Sequence, residues 1–178
     1  MAYYSKIKNL DQIIENISNL KNPKGRFDLI NFKTNKIIVD YAHTPESISQ
    51  VIKYVNPYFS KVVVLFGAGG NRDKEKRKLM GTASQLADSV IVTNDNPRNE
   101  DPIQISNDIL KGCDLSKTNV ILDRKEAITS AINELKENSV LLVLGKGHEM
   151  YQEINNSHIP FNDNDFINET IGGLIWLQ

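Results

Sequence analysis

The 178-residue chain reads as an α/β fold, a mostly parallel sheet with helices on both faces, entered through a β-hairpin. Two observations predict it. Apolar runs at residues 36–41, 62–66, 89–93, 119–122 and 140–144 alternate with segments of helical periodicity, the cadence of a parallel sheet covered on both sides. Helix-starting residues then recur where each strand pattern ends: Thr44-Pro45, Asp101-Pro102 and Asp123.

Taken in order, residues 10–20 space Leu10, Ile13, Ile14, Ile17 and Leu20 as a short helix, which Asn22-Pro23-Lys24-Gly25 ends. Residues 27–32 and 36–41 flank Lys33-Thr34-Asn35 as a hairpin that leads into the first buried strand. Thr44 caps and Pro45 opens a helix with Ile48, Val51, Ile52 and Val55 on one face. Strand 62–66 runs into a glycine-rich loop and a helix expected to bury Leu79, Ala83, Leu86 and Ala87. Strand 89–93 precedes a helix from Pro102 carrying Ile105, Ile109 and Leu110, with Gly112 as its stop. Strand 119–122 leads to a helix capped by Asp123 that carries Ala127, Ile128, Ala131, Ile132 and Leu135, and residues 140–144 form the last strong strand. An edge hairpin at residues 151–159 and a helix capped by Asn162 or Asp163 follow. Residues 171–178 fit a strand, a docked tail or a disordered end equally well.

Composition narrows the function classes. Forty per cent hydrophobic and 24% charged residues are ordinary for one globular domain. With 21 basic against 22 acidic residues there is no global field for nucleic acid or an anionic membrane, so charge must act locally. Cys113 is the single cysteine; it cannot form an internal disulfide, and it is expected to be an inert thiol in a reducing, cytoplasmic setting. No run approaches the roughly 20 apolar residues of a membrane span. His43, His148 and His158 lack metal-ligand spacing.

Four loops with charged residues leave the carboxyl ends of predicted strands, where open parallel sheets bind ligands. Gly67-Ala68-Gly69-Gly70-Asn71-Arg72-Asp73 lacks both the third glycine of a dinucleotide fingerprint, where Arg72 stands, and the Gly-Lys-Ser/Thr of a phosphate loop. A tight turn and an anion site explain it about equally; Arg72 beside a helix N-terminus favours carboxylate or phosphate. Asp95-Asn96-Pro97-Arg98, stiffened further by Pro102, presents groups of both signs that suit a zwitterion such as an amino acid, although a plain turn uses the same residues. Gly145-Lys146-Gly147-His148-Glu149 fits a solvated loop or a binding loop. Asp40-Tyr41-Ala42-His43 closes a strand; Asp40 there suits ribose hydroxyls, and a capping loop with a packed His43 fits as well.

Together with Gly25-Arg26-Phe27, Glu100-Asp101-Pro102 and Asp123-Arg124, these motifs resemble the Mur ligases, in the order that family uses. The similarity spans about residues 25–163 and is to the C-terminal domain of the members that add the third residue of the peptide stem. The resemblance implies a Rossmann-like domain over residues 25–178, preceded at residues 1–24 by a helix and linker left from a central domain. It implies ATP contacts at Arg26 (phosphate), Asp40 (ribose), Tyr41 and His43 (nucleoside). It implies a diamino-acid pocket of Arg72, Asp95, Asn96, Arg98, Gly145 and Glu149, with Asp95 and Glu149 for ammonium and the arginines for carboxylate.

The Asp-Asn-Pro-Arg form looks like enzymes that add meso-diaminopimelate, whose distal carboxylate wants an arginine that lysine's ammonium would repel. The implied reaction is ATP-dependent amide-bond formation on UDP-MurNAc-L-Ala-D-Glu, through an acyl phosphate that the diamino acid's amine attacks. The ATP cradle and magnesium ligands would lie in domains outside this chain, which alone is expected to be inactive, with no catalytic residue of its own. Three rivals remain: a lysine-adding ligase domain, a stand-alone amino-acid- or partner-binding module, and a nicotinamide oxidoreductase, which Arg72 in the fingerprint disfavours.

Overall fold

The computed structural model describes residues 23–175, so the expected helix at residues 10–20, the linker's first residues and Trp176 lie outside the described residues. The main sheet has six strands in the order β1-β2-β6-β3-β4-β5. These are β1 (Asp28–Phe32), β2 (Asn35–Asp40), β3 (Lys61–Phe66), β4 (Ser89–Val92), β5 (Thr118–Val120) and β6 (Ser139–Leu144). Only β1 runs antiparallel, paired with β2 through the expected hairpin; all other pairs are parallel. The α/β architecture with an N-terminal hairpin is as the sequence predicts.

Side-chain alternation splits the core in two. Ile38, Val62, Val64, Phe66, Val140, Leu142 and Leu144 point to the face covered by α1 (Pro45–Val55), α2 (Glu75–Ser84) and α3 (Pro102–Leu110). Ile37, Val39, Val63, Leu65, Leu141 and Val143 meet α4 (Arg124–Asn133) and α5 (Asp163–Ile175) on the other. Each such buried side chain contributes roughly 1.5–3 kcal/mol of transfer free energy, which is why β3 after Lys61 and β6 after Ser139 are apolar on both faces.

Local chemistry sets the helix starts. Thr44 accepts from the Ser47 amide while the Ser47 hydroxyl accepts from the Thr44 amide, a reciprocal cap before Pro45. Asp101 and Asp123 cap α3 and α4 through the Ile103 and Glu126 amides. Asn162, rather than Asp163, caps α5 by accepting from the Asp165 amide. Residues 171–175 continue α5.

Three expectations need correction. Leu79 and Leu86 are exposed; the buried face of α2 carries Arg77, Met80, Gly81 and Ser84, because Arg77 is drawn inward by two carboxylates. Gly112 does not close α3 with a left-handed turn; a side chain there would strike the Lys78 carbonyl, so it serves close packing against α2. The strand expected at residues 119–122 is Thr118–Val120, since Ile121 and Leu122 already lead toward the α4 cap. Cys113 is half-buried against the Ile109 carbonyl, and burial pushes its thiol up.

A second sheet, β7 (Tyr151–Ile154) paired with β8 (Ser157–Pro160), is the expected hairpin. It is not a free edge: Arg98 bridges to Ile154, so β7 docks on the loop after β4.

Candidate functional site

Neighbouring strands β3 and β6 send their chains to opposite faces, α2 on one and α5 on the other, which opens a crevice at their carboxyl ends. A cavity of about 310 Å³ lies there. Its walls include Arg72, Asp95, Asn96, Arg98, Gly145 and Glu149, so the structure brings all six residues expected for the diamino acid together. Tyr41 and His43 reach the same cavity, whereas Arg26 and Asp40 do not line it.

The walls fit because the loops approach backbone to backbone. The Gly70 amide donates to the Asn96 carbonyl at 2.9 Å, and a methyl group on Gly70 would come within 1.9 Å of the Pro97 oxygen. Gly145 turns with φ +108, a conformation that lets the chain pass Asp95. Beneath this loop Arg77 donates to Glu100 and Asp108, and Glu100 accepts from the Asn71 amide, fixing the glycine-rich loop to the start of α3. Arg72 is exposed in the loop before α2 begins at Glu75, so it does not project from the helix N-terminus as expected.

Lys146 organises the acidic side. Its side chain is fully buried, and its ammonium donates to Asn96 Oδ1 at 3.1 Å, Glu149 Oε2 at 2.8 Å and the Tyr151 carbonyl at 2.7 Å. Asn96 Nδ2 donates to the same Glu149 oxygen at 2.8 Å. Burial opposes the charge on Glu149, but the Lys146 and Asn96 bonds outweigh it and hold its carboxyl below the ordinary range. Glu149 is therefore a fixed anion at the cavity wall.

Asp95 is different. Its side chain is buried and receives no hydrogen bond from the described residues; burial raises its pKa against the pull of Arg124 and Lys146. A desolvated carboxylate facing a cavity without a donor is completed by a cationic ligand group. Arg98 is held in the left-handed region at φ +53, which costs roughly 1–2 kcal/mol and turns its side chain across the loop. Its Nη1 donates to the Gly70 carbonyl at 2.8 Å and its Nε meets Glu153 at 2.8 Å.

Around Tyr41 lies a second group. The Arg26 guanidinium stands 4.6 Å over the Tyr41 ring, and the His43 and His148 rings lie 4.7 and 5.4 Å from it. Both Asp40 oxygens accept backbone amides, from Phe27 and Ala42, each at 2.8 Å, so Asp40 fastens the hairpin to the end of β2.

Sequence reasoning gave no site role to Lys76, Lys146 or Arg124. Lys76 lines the cavity from the first turn of α2, which begins at Glu75. Arg124 is fully buried, pairs with Asp163 at 2.7 Å and donates to the carbonyls of Asn94 and Leu144, locking the ends of β4 and β6 under the cavity.

Residues 25–147 match the family model for the Mur ligase, glutamate ligase domain. The chain belongs to the Mur ligase family. Among its relatives is the UDP-N-acetylmuramoyl-L-alanyl-D-glutamate--2,6-diaminopimelate ligase of Rickettsia prowazekii, 46% identical over 169 residues, covering 93% of this chain and 35% of the relative. The enzyme of the same name from Aquifex aeolicus is 44% identical over 156 residues, covering 85% and 32%. A solved structure of a ligase with that name superposes with a TM-score of 0.82 at 36% identity, over 94% of this chain and 35% of that one. The chain thus spans about a third of the length of the Mur ligases it matches, and its match is to their C-terminal domain. At 20% identity, a UDP-N-acetylmuramate-alanine ligase from Thermotoga maritima shares the fold, with a TM-score of 0.65.

Proposed function

We propose that this Mur ligase domain binds the incoming amino acid of an ATP-dependent amide-forming ligase, and that the amino acid is meso-diaminopimelate, added to UDP-MurNAc-L-Ala-D-Glu in peptidoglycan synthesis. The observation that carries the reading is the cavity with carboxyl groups at Asp95 and Glu149, the latter held as an anion by Lys146, and cations at Arg72 and Arg98. An α-amino acid with a second amino-acid head at its far end offers ammonium and carboxylate twice, matching walls of both signs. Lysine offers no carboxylate to the second arginine.

Asp95 and Glu149 take ammonium groups, Arg72 and Arg98 take carboxylates, and Asn96 with Lys146 keeps Glu149 charged and oriented. The domain's contribution is proximity: it presents the amine to a carboxylate held by the rest of the ligase and keeps water out of the crevice. The Arg26–Tyr41–His43 group fits a nucleotide, since a guanidinium, a phenol ring and an imidazole supply stacking surface and donors for phosphate. Asp40 keeps lone pairs for a ribose hydroxyl beyond its two amide bonds. ATP, when bound, supplies the phosphoryl group that activates the acceptor carboxylate. Among the described residues no group of three or more His, Cys, Asp or Glu side chains stands together. Residues 25–178 form this domain in our reading, residues 1–24 its link to a central domain; both nucleotide substrates place it in the cytoplasm. No described helix is long and apolar enough to cross a membrane.

Calorimetric titration with meso-diaminopimelate and with L-lysine tests the assignment. Binding of diaminopimelate in preference to lysine is expected; equal binding of the two, or binding of neither, overturns it. The purified chain is expected to show no ATP turnover with UDP-MurNAc-L-Ala-D-Glu and diaminopimelate.

A further inference from the structure

The hairpin after β6 grips the cavity loop at every residue but the proline. Gln152 Nε2 donates to the Asp95 carbonyl, the Glu153 amide to Asn96 Oδ1, the Arg98 amide to the Glu153 carbonyl and the Asn155 amide to the Arg98 carbonyl, each at 2.9 Å. Beyond these bonds, two side-chain pairs cross the junction: Asn99 Nδ2 donates to Asn156 Oδ1 at 3.2 Å, and Arg98 Nε pairs with Glu153 Oε2 at 2.8 Å, the latter two side chains about three-quarters covered.

A guanidinium has five N–H donors in a rigid plane. The Gly70 carbonyl accepts from Nη1 and the Glu153 carboxylate holds the Nε side as an ion pair, so the plane is held at two corners and Nη2 has no acceptor among the described residues. We propose that Glu153 is a positioning residue for substrate selection. By holding the guanidinium from its Nε side as an ion pair it aims the far N–H groups of Arg98 into the cavity, where they favour a ligand whose far end is a carboxylate over one ending in a bare ammonium. The inference rests on the amino-acid-binding reading above and adds to it a residue that need not touch the ligand. Because Glu153 acts before binding, its effect is on preorganisation: without it the long Arg98 side chain must be ordered at each encounter.

The remaining bonds do not use the Glu153 side chain, so Glu153→Ala leaves the hairpin docked and the melting temperature close to that of the wild type. Titration of Glu153→Ala is expected to show diaminopimelate binding weakened by about five- to tenfold, the size of ordering one long side chain, with the response to L-lysine unchanged. Glu153→Gln, which keeps the side chain's length without its charge, recovers little of that loss. In an Arg98→Ala background, Glu153→Ala has no further effect. Wild-type binding of diaminopimelate that Glu153→Ala leaves unchanged, or a loss that persists in the Arg98→Ala background, overturns this inference alone. Failure of the wild type to bind diaminopimelate overturns the functional reading and this inference with it.

Discussion

Lys146 and Glu149, three residues apart on the loop after β6, form an ion pair at 2.8 Å in which the lysine is fully buried. The ammonium has three donors and spends them on Asn96, Glu149 and Tyr151, so no bond is left over for ligand or water. Lys146 is thus the strut that makes an ordered anion of Glu149.

Replacing Lys146 with Met keeps the stem's bulk but leaves three acceptors short of a partner. The expected loss is roughly 3–5 kcal/mol of unfolding free energy, the cost of breaking a buried pair from one side. The urea midpoint reports it, and diaminopimelate binding should fall in the same variant even where the protein is folded. A midpoint within about 0.5 kcal/mol of wild type would show that Lys146 is not structural.

Asp95→Asn separates ligand binding from stability. Burial raises the folded-state pKa of Asp95, so its charge opposes folding, and stability contributed by the neutral form is lost as pH rises above the ordinary aspartate range. The asparagine variant is expected to melt at or above the wild-type temperature at neutral pH. Its affinity for diaminopimelate should drop by roughly 2 kcal/mol or more, the cost of removing one partner of a desolvated charge pair. Thermal denaturation and calorimetry on the same preparations check both halves; a destabilised variant that still binds would contradict them.

Glu100 governs the acid limit of the glycine-rich loop. Its hydrogen bond to Arg77, helped by the Asn71 amide and Lys74, outweighs the burial penalty and lowers its pKa from 4.5 to about 2. A depressed carboxyl stabilises the fold fully above its ordinary value and ceases to do so as pH falls through the folded-state value. Stability should therefore decline between about pH 4.5 and 2 in the wild type, with a shallower slope in Glu100→Gln. Chemical denaturation at a series of pH values measures that slope; identical slopes would remove Glu100 from the account.

The sequence by itself determined the order of strands and helices and where most helices start. Those features are local: Thr44-Pro45, Asp101-Pro102 and Asp123 cap through amides two or three residues away, and the apolar runs must be buried wherever the sheet forms. It also determined which loops line the cavity, because the carboxyl ends of the strands follow from their order.

Tertiary structure alone decided which charges are structural and which face the cavity. Arg124 and Asp163 are 39 residues apart, Lys146 and Asn96 are 50 apart, and Arg98 and Glu153 are joined only when the hairpin folds back. A lone cation in a sequence looks solvated; its burial is set by partners that a local window does not contain. The same effect turned α2 around, since Arg77 could face inward only with Glu100 and Asp108 waiting there.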